Sequence, residues 1–102
     1  MSRTLWPAKD PAEKLVTTFD YSADLDAGET IASANLTCTL LSGADADPSA
    51  VLYGTPTIAA GTVLQPITGG VEGATYTLRC AVTLTPSGRV LVLAATLPVR
   101  TA

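Results

Sequence analysis

From Thr75 to Thr85 apolar and polar side chains alternate with a period of two, and that period commits the segment to β-structure. Tyr76, Leu78, Cys80, Val82 and Leu84 fall on one face, and Thr75, Thr77, Arg79, Ala81, Thr83 and Thr85 on the other. Thr30–Leu41 repeats the pattern, with Leu36, Cys38 and Leu40 opposed to Asn35, Thr37 and Thr39. Lys14–Tyr21, Val51–Ala59, Thr62–Ile67 and Arg89–Val99 read as further short strands, divided by turn signals at Gly28, Pro48, Gly61, Gly69-Gly70, Gly73 and Pro86-Ser87-Gly88. Pro56 and Pro66 remove ladder donors, which predicts edge or irregular strands there. No stretch longer than a turn carries a helical period. The pattern predicts an all-β, antiparallel β-sandwich of about seven strands over residues 14–102. An extended N-terminal arm precedes it over residues 1–13, where Pro7 and Pro11 hold the chain out of helix.

Cys38 and Cys80 fit inward positions on partner strands, as in immunoglobulin-like domains. Tyr76 stands four residues before Cys80, whereas the antibody tyrosine corner stands two before its cysteine. The expected architecture is therefore immunoglobulin-like without membership of the antibody family. The two cysteines read as buried hydrophobes in a reducing cytoplasm. The alternatives are a disulfide bridging two sheets or, last, a reactive thiol.

Charge is scarce. Of 102 residues, 15% are charged and 47% apolar, against an average charged share of about 25%. A single small domain of this composition cannot cover its surface with polar groups, which predicts apolar surface buried against another chain. Two places qualify. In Arg89–Val99 both faces are apolar, Leu91, Leu93, Ala95, Leu97 and Val99 on one and Val90, Val92 and Ala94 on the other. A second subunit or the chain's own arm would cover the face turned away from the core; the hairpin register decides which face that is. The second place is the arm, where Leu5, Trp6 and Pro7 put the only tryptophan on a proline-stiffened segment. Trp6 either docks on a neighbouring subunit or folds back on its own domain. The expected interface residues are Leu5, Trp6, Pro7, Val90, Leu91, Val92 and Leu93.

Chemistry finds little purchase. Without histidine there is no Ser-His-Asp or Cys-His machinery and no histidine-ligated metal. Asp24-Leu25-Asp26-Ala27-Gly28-Glu29 is too short for a calcium loop and reads as a solvated turn. Gly69-Gly70-x-x-Gly73 lacks the lysine and following helix of a phosphate loop. A net charge of −3 argues against nucleic acid as partner, and no run approaches the ~20 apolar residues of a membrane span. The expectation is a non-enzymatic protein with no cofactor, no metal, no nucleic-acid partner and no membrane segment.

Several short motifs resemble small virion proteins of tailed bacteriophages, of the head-decoration or fibre-tail adaptor type. They are Trp6-Pro7-x-Lys9-Asp10-Pro11-x-Glu13, Asp20-Tyr21-Ser22, Gly28-Glu29-Thr30-Ile31-x-Ser33, Gly69-Gly70-x-x-Gly73-x-x-Tyr76-x-Leu78-x-Cys80 and Ser87-Gly88-Arg89. The resemblance implies an immunoglobulin-like sandwich that self-assembles without cofactors in the virion, after assembly in the host cytoplasm. It implies as partners the major capsid protein or other virion proteins, and a homo-oligomer, with a dimer as one form. The first functional expectation is a minor capsid or decoration protein cementing the shell. The alternatives are a head–tail or fibre–tail adaptor, and a module binding a host-surface glycan through Tyr53 and the other aromatic residues.

Overall fold

The computed structural model describes residues 3–101; Met1, Ser2 and Ala102, the ends of the two expected segments, lie outside them. Seven strands follow in order: β1 (Arg3–Leu5), β2 (Leu15–Asp20), β3 (Thr30–Ser42), β4 (Thr57–Ala59), β5 (Thr62–Ile67), β6 (Thr75–Thr85) and β7 (Val90–Pro98). They form a four-stranded sheet ordered β1-β7-β6-β3 and a three-stranded sheet ordered β2-β5-β4. Every pair is antiparallel except β1–β7, which is parallel. Apart from two short 3-10 turns, Ser22–Asp24 and Pro48–Val51, the regular structure of the described residues is all β.

One core lies between the sheets. β6 contributes every second residue, Tyr76, Leu78, Cys80, Val82 and Leu84, all buried, as period-two alternation requires. Phe19, Val63 and Ile67 meet them from the smaller sheet. The β6–β7 register, with Cys80 opposite Leu93 and Leu78 opposite Ala95, turns the odd residues of β7 inward. Ala95, Leu97 and Val99 are buried, whereas Val90 is 61% exposed. The arm does not lie over the even face of β7. It continues the sheet sideways, pairing Arg3, Thr4 and Leu5 with Ala94, Ala95 and Thr96.

Cys38 and Cys80 are both buried and free. They occupy neighbouring strands of the same sheet, where Cys38 faces Leu78 and Cys80 faces Leu36. This replaces the inter-sheet disulfide considered above: no cysteine stands on the opposite sheet to be bridged. Burial pushes the Cys38 thiol up to about 12, with the nearby Asp45 charge adding to the shift, and burial likewise raises Cys80. Neither carries thiolate near neutral pH.

Two sequence expectations need correction. Val51–Ala59 is not one strand: Pro48 starts a 3-10 turn that ends at Val51, Gly54 adopts φ 76°, and strand resumes only at Thr57 after Pro56. Pro66 sits in the central strand of its sheet rather than at an edge. It is tolerated because β4 pairs only with Thr62–Leu64, so the ladder on that side has ended before Pro66. The Pro66 carbonyl instead accepts from the Tyr53 N–H at 3.0 Å and from Gln65 Nε2 at 2.8 Å. Gln65 is itself buried.

Two buried tyrosines tie loops to the core. The Tyr21 hydroxyl donates to the Cys80 carbonyl at 2.7 Å. The Tyr76 hydroxyl accepts from the Val71 N–H at 2.8 Å and donates to Asp45 Oδ2 at 2.6 Å, joining the glycine-rich turn to the β3–β4 connection. Gly70 packs beneath that turn at φ 95°, and a Cβ there would stand 2.8 Å from Val99 Cγ2, which explains the glycine. Tyr76→Phe would leave the Val71 N–H without its acceptor and Asp45 without its donor. We expect a loss of about 1–3 kcal/mol in denaturant unfolding, with the slope of the transition unchanged; an unaltered midpoint would show the link to be idle.

Candidate functional site

The chain between the arm and β2 is built on a lysine. Lys9 is fully buried, and its ammonium donates to the carbonyls of Asp10 at 2.9 Å and Gly69 at 2.7 Å. Its backbone continues the arm's pairing: Trp6 N–H donates to Thr96 O, Lys9 N–H to Pro98 O and Arg100 N–H to Lys9 O, each at 2.9 Å. Burial lowers the Lys9 pKa, opposed by the charges of Glu13 and Asp10. Beyond Lys9 the chain turns back at Asp10-Pro11-Ala12-Glu13, where Glu13 Oε1 accepts from the Asp10 N–H at 2.8 Å and Asp10 Oδ1 from the Ala12 N–H at 2.8 Å. The turn delivers the chain into β2.

This path leaves a groove between the arm and β2. Trp6, Pro7, Leu15, Val16, Ile67 and Leu97 line most of a cavity of about 460 Å³, with Glu13 at its rim. Trp6 is half-buried, its ring tilted 58° to that of Phe19 with centroids 5.4 Å apart. It also borders a second cavity of about 350 Å³ shared with Phe19, Asp20, Asp24 and Leu93. A third, of about 300 Å³, continues along Val90–Leu93 between Tyr21 and Asp24. The three openings share Trp6, then Asp24 and Leu93, and so follow one flank of the molecule.

The two patches singled out in sequence are linked through Trp6, which shares the second cavity with Leu93, while the strand register sets Leu5 beside Thr96 and leaves Val90 at the far end of β7. Leu5, 73% exposed, and Pro7, also exposed, lie on the arm beside β7. Val90 is exposed at the start of β7, and Leu91, Val92 and Leu93 are half-buried. Leu15 and Val16, the latter 63% exposed, extend the same flank and were not among the sequence candidates. Alternation alone could not single them out, because both residues are apolar and a strand start has no neighbour to set its face. Lys9 was missed for a different reason: a lysine beside an aspartate reads as solvated surface.

The acidic turn also differs from expectation. Glu29 is not solvated; its side chain is 5% exposed and paired with Arg89, whose Nη2 lies 2.5 Å from Glu29 Oε1 and whose Nε donates to Oε2 at 3.0 Å. Ser87 Oγ donates to the same carboxylate, and Arg89 Nη2 also donates to the Asp24 carbonyl at 3.0 Å. The β6–β7 hairpin thus folds over the turn and dries one carboxylate while Asp26 stays open to water, 80% exposed at the side chain. Hydrogen bonds from Arg89, then Ser87, hold the Glu29 carboxyl at about 2. This clamp fixes the end of β7 that carries Val90.

Of the aromatic residues that a glycan platform could use, Tyr21 and Tyr76 are buried. Tyr53 is half exposed, but the Lys14 ammonium sits 5.4 Å above its ring and occupies one face. Among the described residues no group of three or more Cys, Asp or Glu side chains could hold a metal ion.

The family model described as Podophage GP4 fiber-tail adaptor protein gp77 matches residues 9–98, from the buried lysine to the end of β7. No curated protein matches the chain.

Because the folded Glu29 pKa lies below its ordinary value of 4.5, the clamp contributes stability above that pH and loses it as pH falls toward 2. We expect the melting-temperature gap between wild type and Glu29→Gln to be widest near neutrality and to close between pH 4.5 and 2. A gap independent of pH would show that the carboxylate charge does not hold the hairpin.

Proposed function

The chain belongs to the podophage fibre-tail adaptor family, and from that premise we propose that it joins the tail of a phage particle to its fibre without catalysing a reaction. A protein of this family is a virion component. The observation that carries the reading is the extent of the match, residues 9–98, which takes in β2 to β7 and leaves out β1, Trp6, Pro7 and the last four residues. The first expectation, shell decoration, gives way to the adaptor alternative on the same ground, and the major capsid protein gives way as partner to the components of tail and fibre.

The proposed contact surface is the flank bearing Leu5, Trp6, Pro7, Val90, Leu91, Val92 and Leu93, widened by Leu15 and Val16. Trp6, Pro7, Leu15 and Val16 line a groove there while Leu5 and Val90 stand exposed, and burying one Val or Leu side chain contributes about 1.5–3 kcal/mol. The groove suits an extended apolar segment, since it runs between the free edges of β1 and β2 and offers little polar recognition. We further propose that residues 3–13 act as a strap belonging to this surface, separate in role from the sheets behind it.

The proposed architecture is immunoglobulin-like. Strands β2-β5-β4 and β3-β6-β7 follow the neighbour orders B-E-D and C-F-G of that fold, with β1 added beside the last strand. Tyr76 supports the same reading, because its hydroxyl bonds back to backbone five residues upstream in the manner of a tyrosine corner.

Leu5→Asp with Val90→Asp tests the surface, since both side chains are largely exposed and neither belongs to the core. We expect a normal melting temperature and a fall of about tenfold or more in fibre-bearing particles, counted by negative-stain microscopy. Full fibre occupancy with the double variant incorporated would overturn the assignment of this flank.

A further inference from the structure

Two sheets have four outer edges, and three of them here are short: β1 and β4 have three residues each and β2 has six. The fourth, β3, runs 13 residues from Thr30 to Ser42 and contains neither a charged residue nor a proline. An edge strand exposes a row of unpaired N–H and C=O groups, which proteins ordinarily blunt with lysine, proline or bulges. The two irregularities of β3 lie near its ends, at Ile31/Ser33 and Leu40/Ser42, so Ser33–Leu40 is regular. Among the described residues no backbone hydrogen bond from a loop or turn reaches this stretch.

Its inner side is thinly covered as well. Faced by the short 3-10 turn Pro48–Val51 and a β4 of only three residues, Ala34, Leu36 and Leu40 remain half-buried, and Leu41 and Ile58 are exposed. The edge therefore offers unpaired backbone, an incomplete apolar lining and no charge to repel a second strand.

We propose that a second copy of this chain pairs its β3 antiparallel with this one about a two-fold axis perpendicular to the sheet, joining the two four-stranded sheets into one. An identical strand satisfies the rows by symmetry. With the axis at Thr37, Leu36 stands opposite the partner's Cys38, Ala34 opposite the partner's Leu40 and Asn35 opposite the partner's Thr39. Apolar side chains meet on the inner face, small polar ones on the outer, and no like charges meet anywhere. The corresponding edge of β7 is closed to such pairing because β1 already occupies Ala94–Thr96. Dimerisation through β3 leaves the flank of Trp6 and Val90 free, since β1 and β3 are opposite ends of the sheet order.

The test is the double variant Asn35→Lys with Thr39→Lys. Both residues are exposed and lie directly opposite the uncharged Ala81 and Thr77 within the chain, with Arg79 on the diagonal between them. Across the two-fold the introduced charges face each other, which weakens association by more than about tenfold. In sedimentation over a concentration series, wild type should form a two-copy species whose outward-facing Ser33–Leu40 amides resist hydrogen exchange. The variant should sediment as one copy with an unchanged melting temperature. A wild-type chain that stays single at every concentration overturns the proposal, and so does a two-copy species whose alternate β3 amides exchange freely. The exchange measurement on wild type alone, taken on dilution, decides the matter even where the variant folds poorly. None of these outcomes depends on fibre attachment, so the adaptor reading stands or falls separately.

Discussion

The zipping of the arm onto β7 is the contact on which the rest of the molecule's outward surface depends. Three backbone bonds, from Trp6 to Thr96, Lys9 to Pro98 and Arg100 to Lys9, align the two segments, and the buried Lys9 ammonium locks the arm to the Gly69 carbonyl. Taking an ammonium out of water is costly unless its donors are satisfied. Two carbonyls accept from it, and Glu13 and Asp10 supply opposing charge nearby. The chain thereby fixes a segment whose side chains Leu5 and Pro7 stay exposed. A contact that spends a buried cation to hold apolar residues in water makes sense when those residues meet something else in the assembled particle.

The same logic links the two ends of the flank. The arm sets Trp6 against Phe19 at one end, and the Glu29–Arg89 pair braces the hairpin that begins β7 at the other. Both rely on a turn of the form Asp-x-x-Glu, in which the glutamate accepts from the N–H of the aspartate: Glu13 from Asp10 at 2.8 Å and Glu29 from Asp26 at 2.7 Å. Each carboxylate also faces a cation: Glu29 is paired with Arg89, and Glu13 lies near the Lys9 ammonium. Scarcity of charge on this chain is thus a matter of placement: acids lie in turns and, for Asp20, at the end of β2, and the strands of the larger sheet carry none.

Much of this was legible in the residues. The inward faces of β3 and β6 followed from alternation, because a period of two has no other reading over so many residues. β7 resisted the same argument, since Val90, Val92 and Ala94 are as apolar as Leu91, Leu93 and Ala95; only pairing with β6 decides its face. The stretch Val51–Ala59 is β-prone in composition, yet Gly54 and Pro56 break it locally. Lys9 and Glu29 were illegible for one shared reason. Their partners, Gly69 and Arg89, are 60 positions away in each case, and no local pattern marks a charge that will be dried by distant chain. The placing of Leu5 beside Thr96, and of Trp6 across a cavity from Leu93, is likewise a product of parallel pairing between the first and last strands.

The direction in which the arm-and-β7 flank points in the particle decides the role proposed for it. Cryo-electron microscopy of the tail region, at a resolution that traces this chain, tests that directly. The account predicts the chain between tail and fibre, with Trp6 and Val90 covered by a neighbouring protein. Density for the chain on the capsid shell, or at the tail with that flank turned to solvent, would contradict it.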